Sequence, residues 1–245
     1  MREMTAMTSL LCRLCALLAC LLLPLQGALA KGEPPSGPAR DGFFAAAFHS
    51  EYGDTQRDAL IRWEIPLSVY VRGTPTVDDM QTLQSLADDL KQSVPGLPEI
   101  SFAAGEGEAN VFVSFVPFER MSKYLVHYET GNWGFMNCLS SDTTIRYGLI
   151  AIAADVTEQE DRNHLIREEF VNMLGLTADI DTAPESIIYQ PYTRTQSLAP
   201  VDYEMLNLLY SPYMRFGMSA AEAQAALNDA FDKNGTENAK QDCAP

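Results

Sequence analysis

From Arg62 the chain alternates strictly between apolar and polar positions. Trp63, Ile65, Leu67, Val69 and Val71 fall on one face, with Glu64, Ser68, Tyr70 and Arg72 on the other, which predicts a half-buried strand. The period then lengthens. Thr76 and Asp79 have the spacing of a capping box, with Asp in place of Glu. Met80, Leu83, Leu86, Ala87 and Leu90 form one stripe of the helix it opens, which Pro95-Gly96 stops. Glu99–Ala103 and Asn110–Val116 read as two further strands, separated by the turn-prone Gly105-Glu106-Gly107. Thr143–Val156 reads as a largely buried strand. Thr157 and Glu160 then form a second capping box for a helix ending at Leu174, with Gly175 as its stop. Pro200–Tyr210 and Ser219–Phe231 read as helices, the latter opened by a third box at Ser219 and Glu222. Strands and helices followed by helices alone predict one α+β domain over 62–232, with a frayed polar tail over 233–245.

What precedes the strand is of a different kind. Arg2 and Arg13, the apolar Leu14–Leu23 and the Ala28-Leu29-Ala30 site predict a cleaved signal peptide over 1–30. The apolar run is short of the ~20 residues a bilayer span needs. A retained anchor and lipid attachment at Cys20 are the alternatives. Residues 31–61, led by the Pro/Gly-rich Lys31–Arg40, read as a flexible lead-in. No later segment is long and apolar enough to span a membrane, so the mature chain is expected to be soluble and extracytoplasmic. The full chain's net charge of -16 disfavours nucleic acid and anionic lipid as partners. Of the five cysteines, Cys12, Cys15 and Cys20 lie in the targeting segment. Cys138 and Cys243 remain, either as one disulfide pinning the tail or as two thiols.

The chemistry concentrates in REEFVNMLGLTAD, Arg167–Asp179. This stretch resembles the active-site helix of a metzincin zinc protease, H-E-x-x-H-x-x-G-x-x-H, with its metal ligands replaced. Glu168 and Asn172 stand at the first two histidine positions, Ala178 at the third, Glu169 at the general-base glutamate and Gly175 at the glycine. Ser186-Ile187-Ile188-Tyr189 is similar to a Met-turn without its methionine, and Asp202 with Leu209-Tyr210 to the closing helix of matrixin-like domains. A closer resemblance is to an uncharacterised bacterial family, domain of unknown function 2927. It is carried by Glu168-Glu169, Asn172, Leu174-Gly175-Leu176, Asp179, Ser186-Ile187, Leu198 with Asp202, Leu209-Tyr210 with Pro212, and Gly217-Met218. Asn172 and Ala178 stand where that family tends to have Gln and Asn. The resemblances imply a metzincin- or zincin-like fold, a twisted mixed sheet packed on a central helix with a C-terminal helical part.

Ligand chemistry argues against zinc hydrolysis. Catalytic zinc takes about three protein ligands and lowers its bound water's pKa toward ~7. Ala178 has no donor atom, Asn172 offers a neutral amide, and the three histidines, His49, His127 and His164, lie at none of the required spacings. No metal and no cofactor is expected. On a helix, Leu165, Glu168, Glu169 and Asn172 share an arc of about 100°, opposite Ile166, Phe170, Met173 and Leu174. That arc is a solvated face or the floor of the former cleft, where one acid could bond the backbone of the Ser186 turn. The cleft candidates are Glu168, Glu169, Asn172, Asp179, Ser186 and Tyr189, with Glu169 as a vestigial general base. Tyr124–Leu139, with Tyr128, Trp133 and Phe135, reads as a rim loop or as core. The expected function is a secreted, catalytically inactive protein holding a peptide or another extracytoplasmic protein. The alternatives are a metal-independent hydrolase using Glu168 and Glu169, and a structural envelope component.

Zinc titration of the mature protein is expected to show no stoichiometric uptake at excess metal. Stoichiometric zinc that is lost in Glu168→Ala or Glu169→Ala would overturn this reading.

Overall fold

Pro66 interrupts the strand expected from Arg62, because it has no N–H to give to a ladder. In a computed structural model, which describes residues 34–50, 57–156 and 158–241 and side chains as far as residue 231, two strands take its place. These are β1 (Arg62–Trp63) and β2 (Leu67–Gly73). The expected inward set survives in part, with Trp63, Leu67 and Val69 buried. β3 (Ile100–Phe102), β4 (Val111–Val116), β5 (Gly134–Ser141) and β6 (Thr144–Ala153) complete one sheet.

β3, β2, β4 and β6 lie side by side in that order and run parallel. β1 joins the first two residues of β6 in parallel, and β5 pairs antiparallel with β6. β4 and β6 depart from alternation where both faces are covered, since Ile150–Ala153 of β6 and Val113–Val116 of β4, Ser114 included, are all buried, whereas β2 alternates at its start. β5 falls partly in the stretch read as a rim loop. It turns into β6 through Asp142 and Thr143, whose φ values of 52° and 65° are those of a two-residue hairpin loop.

The ladder fixes which way β5 faces. The N–H of Ala153 donates to the carbonyl of Trp133 at 2.8 Å, one step beyond the Gly134–Ile152 pair. Trp133, Phe135 and Asn137 therefore turn their main-chain groups toward β6, and Gly134, Met136 and Cys138 turn theirs away from it. Phe135 packs with Val116, Met121, Ala151 and Ala153 in a small second core on one face of the sheet. Gly134, Met136 and Cys138 lie over the other face, against the central helix.

That helix, α3 (Gln159–Met173), and α2 (Val77–Ser93) are joined by a shared cap. The box at Thr76 and Asp79 forms as expected, and Asp79 Oδ1 also accepts from Arg162 Nε at 3.1 Å and Gln159 Nε2 at 2.7 Å. The α3 box expected at Thr157 falls on a residue outside those described. Glu158 opens the helix without a side-chain cap. Gly175 stops it at φ 122°, and a Cβ there would lie 2.7 Å from the Ile61 carbonyl oxygen. The C-terminal part consists of α4 (Pro200–Leu209) and α5 (Ala220–Gln241), the latter capped by Ser219 and Glu222 as expected.

Two expectations are corrected. The lead-in contains helix α1 (Gly37–Ala47), whose start is fixed by Ser36 Oγ accepting from the Ala39 amide and by Pro38, which has no N–H to leave unmet in the first turn. Its Ala39, Phe43, Ala46 and Ala47 are fully buried in the main core, so this part of 31–61 is structure. Likewise α5 extends to Gln241, through most of the stretch expected to fray. The signal peptide and Cys20 lie outside the described residues. The described residues from Pro35 onward form one compact α+β unit. Among the described residues no helix is long and apolar enough to cross a membrane.

Burial pushes the pKa of Asp79 up, but its bonds from Thr76, Gln159 and Arg162 outweigh that and hold it below the usual carboxylate value. Asp79→Ala is expected to lower stability by about 3–5 kcal/mol in urea unfolding at neutral pH, because it leaves Arg162 buried without its carboxylate. A depressed folded-state pKa gives a contribution that is present above the unfolded value of ~3.9 and disappears as pH falls through the folded one. The gap between wild type and D79A should therefore narrow in acid, and a constant gap down to about pH 2 would contradict it.

Candidate functional site

α3 is buried on nearly all sides. Ile166, Phe170 and Met173 enter the main core, as their spacing predicts, but the opposite arc is not a solvated face. Leu165, Glu169 and Asn172 on that arc are also buried, beneath β5 and the segment 190–194. Between these elements lies an open cleft of about 540 Å³. Four of the six candidates, Glu168, Glu169, Asn172 and Asp179, line it together with Gly134 and Tyr192.

Gly134 permits the close approach of strand to helix. A Cβ there would stand 2.7 Å from Glu169 Oε1 and 3.0 Å from Leu165 Cδ2. Asn172 Nδ2 donates to Asp179 Oδ1 at 3.2 Å, while the buried Asn172 Oδ1 has no hydrogen-bond partner among the described residues. Two turns before Asn172, buried His164 sets Nδ1 3.0 Å from the Thr195 carbonyl oxygen and Nε2 3.6 Å from Glu168 Oε2. Burial lowers the pKa of His164, against the pull of the Thr195 carbonyl and Asp161. Because a carbonyl can only accept, Nδ1 carries a proton and donates it there, which turns Nε2 toward Glu168.

The far wall of the cleft is tied down by Asp161, in the first turn of α3. Tyr192 Oη donates to its Oδ1 at 2.5 Å, and Arg194 approaches through Nε at 2.7 Å and Nη2 at 3.0 Å. Desolvation, with Asp161 adding to it, pushes the Tyr192 phenol up to about 12. Sequence reasoning missed all three. They lie 31 and 33 residues apart, and no motif spacing connects them.

Ser186 and Tyr189 do not line the cleft. Ser186 is fully buried and donates through Oγ to Asp202 Oδ1 at 2.5 Å. Asp202 also accepts from the amides of Ile187 at 3.0 Å and Ala199 at 2.7 Å. A buried acid that bonds the Ser186 turn is thus Asp202. Burial raises its pKa, against the opposing bonds from Ser186, Ala199 and Ile187. Tyr189 forms an isolated parallel bridge with Ile180. Cys138 is a free thiol whose Sγ donates to the Met173 carbonyl at 3.3 Å, and desolvation pushes it up to about 12. Cys243 lies outside the described residues. Among those residues, no three His, Cys, Asp or Glu side chains are grouped so as to hold a metal ion.

These features define an α+β domain with a carboxylate-lined cleft between an edge strand and a central helix. The chain belongs to the family described as Protein of unknown function (DUF2927), whose model matches residues 38–229. The matched region begins in α1 and ends in α5, so it spans the whole sheet and the cleft. No curated protein matches the chain.

Asp202→Ala is expected to lower stability by about 3–5 kcal/mol, because it strands the buried Ser186 hydroxyl and Ile187 amide and the half-buried Ala199 amide. Removing only the hydroxyl of Tyr192, in Tyr192→Phe, should lower it by about 1 kcal/mol, since that ring is largely exposed. Thermal unfolding of both variants checks the order, and a reversed order would remove Asp202 as the anchor of the turn.

Proposed function

We propose that the protein is a secreted, catalytically inactive relative of metzincin-like proteases that holds an extended peptide along the outer edge of β5. The observation carrying this reading is the placement of that edge. Gly134, Met136 and Cys138 turn main-chain groups outward directly beside the α3 cleft, and among the described residues no further strand pairs with β5. A peptide adding there gains ladder hydrogen bonds, while its alternate side chains reach the cleft.

The composition of β5 fits the same reading. Exposed sheet edges are ordinarily protected by charges, proline or covering elements. β5, GFMNCLSS, has no proline and no charged residue. Asn137 supplies limited cover, donating from Nδ2 to the Met136 carbonyl at 2.9 Å. The amide of Met136 and both main-chain groups of Gly134 and Cys138 remain on the outward side of the ladder.

The protease outline is supported by residue placement. Glu168 and Asn172, at the positions of the first two zinc ligands, lie on the floor of the cleft, and Glu169 sits beside them. Asp202 ties the α4 cap to the Ser186 turn, where a Met-turn would fall. Ala178 at the third ligand position is buried and has no donor. An old substrate edge retained beside a floor without zinc ligands accounts for both sets of observations.

Selection from a random decapeptide display library on the mature protein should enrich extended sequences. N-methylation along one of them should weaken binding about tenfold or more at every second residue and little between, because alternate amides enter the ladder. A flat methylation profile sinks the edge-addition reading. Peptide cleavage that disappears in Glu169→Gln would make the protein an enzyme.

A further inference from the structure

We infer that the free C-terminal carboxylate of the bound peptide docks on Arg57, in a second cavity at the outer edge of β5. The inference rests on the edge-addition reading for the peptide, while the preference of the cavity for a carboxylate stands on the residues around Arg57.

The arginines differ in how their donors are used. Among the described residues, every other arginine that is buried or half-buried, namely Arg40, Arg62, Arg72, Arg162 and Arg167, gives a hydrogen bond from its side chain. Half-buried Arg57 gives none among them. Its Nε is enclosed and unmet, while its two Nη atoms, equally without a partner, are not enclosed. Burial lowers the pKa of this guanidinium, as it does for a cation held away from water with no anion beside it. Its electrostatic neighbour Cys138 does not offset the charge, since burial pushes that thiol up to about 12 and keeps its proton on. A guanidinium so placed calls for an anion from outside.

The cavity that Arg57 lines has a volume of about 220 Å³, and no Asp or Glu stands in its wall, in a chain of net charge -16. Its other polar groups are largely engaged. Thr177 Oγ1 donates to the His49 carbonyl, Asn137 Oδ1 accepts from the amides of Val126 and His127, and His127 Nε2 lies 3.1 Å from Glu129. Arg57 and the Ser50 hydroxyl remain for an incoming group. A small anion that only accepts fits this set, and the two oxygens of a carboxylate match the fork of an arginine.

Position selects the source. Met136 and Cys138 line the cavity from one face of β5, and Asn137 and Leu139 from the other, so it lies in the plane of the sheet at the edge itself. Side chains of an added strand point above and below that plane, and what arrives within it is main chain. The remaining walls, from Ser50, Arg57, Val126 and Thr177, belong to other segments. An added strand runs into them and presents its terminus rather than an acidic side chain. Direction follows from the same layout. The α3 cleft adjoins Gly134, and the cavity adjoins Cys138, about 13 Å further along at ~3.3 Å per residue. A peptide ending at Arg57 therefore runs parallel to β5, with its preceding residues toward the cleft.

The test has three arms on the mature protein. In the first, acetate, acetamide and inorganic phosphate are titrated at constant ionic strength and read by the Arg57 Nε–H NMR signal. A saturable shift with acetate and none with acetamide is expected. Equal responses to the two, no response to either, or saturation by phosphate at tenfold lower concentration overturns the inference. In the second, Arg57→Met is expected to unfold at the same temperature as wild type or higher, because it removes a desolvated charge that has no partner. A Tm lower by more than about 4 °C means that the chain itself supplies the partner, and overturns it. In the third, an enriched peptide from the selection is shortened stepwise from its C-terminal end, each length with a free carboxyl or a carboxamide. At one length the free acid should bind at least about tenfold tighter, within the range of charge-assisted hydrogen bonds, and Arg57→Met should reduce that preference below about threefold. A preference carried instead by an internal Asp or Glu overturns the terminal assignment. Peptide binding without any preference for the free acid overturns this inference and leaves the edge reading intact. An acetate response without any peptide binding does the reverse, keeping the carboxylate site and removing the peptide.

Discussion

Five polar side chains of α3 are buried, and each recruits a different part of the chain to the helix. Arg162 reaches the cap of α2 through Asp79. Asp161 draws in Tyr192 and Arg194, His164 the backbone at Thr195, and Asn172 the loop at Asp179. Glu169 stands under Gly134 and brings β5 close. A helix sunk into a protein without such partners would leave ionised and amide groups desolvated, a larger penalty than the apolar face could offset. The need to answer these groups therefore organises the fold around α3, as much as hydrophobic contact does.

This dependence explains what was legible in the sequence. The boxes at Thr76/Asp79 and Ser219/Glu222 were readable because a cap is satisfied within four residues. The parallel strands were readable from their apolar runs. By contrast, β5 shows no alternation strong enough to read, because Gly134 and Cys138 face the helix where large apolar residues would ordinarily mark a buried face. Its Asp-Thr turn is also a weak hairpin signal. α1 was hidden by composition: Ser36-Gly37-Pro38 reads as linker, yet in that order it is a helix start followed by apolar residues.

The candidate site was half legible for a related reason. Glu168, Glu169, Asn172 and Asp179 are close in sequence, so one motif contains them. Ser186 belongs to the same motif set but turns inward to Asp202 and serves the fold. Tyr192, Arg194 and Trp133 reach the cleft only through tertiary structure, from segments whose sequence shows nothing beyond a polar or aromatic loop. The family match covers all of these positions, so the cleft lies within the part of the chain that defines the family.

The strap that carries Tyr192 and Arg194 has one further property. Between Ile188 and Leu198 no residue is buried, so this wall has no hydrophobic anchor of its own. Its ties to α3 join Asp161 to a phenol and a half-exposed guanidinium, Gln196 to the Glu160 carbonyl, and the Thr195 carbonyl to His164. Ionic attraction at such exposure is screened within a Debye length, which shrinks from ~10 Å at 0.1 M salt to ~3 Å at 1 M. The floor of the cleft is thus built by packing and one wall by polar contacts, of which the Arg194 pair is the one that added salt weakens.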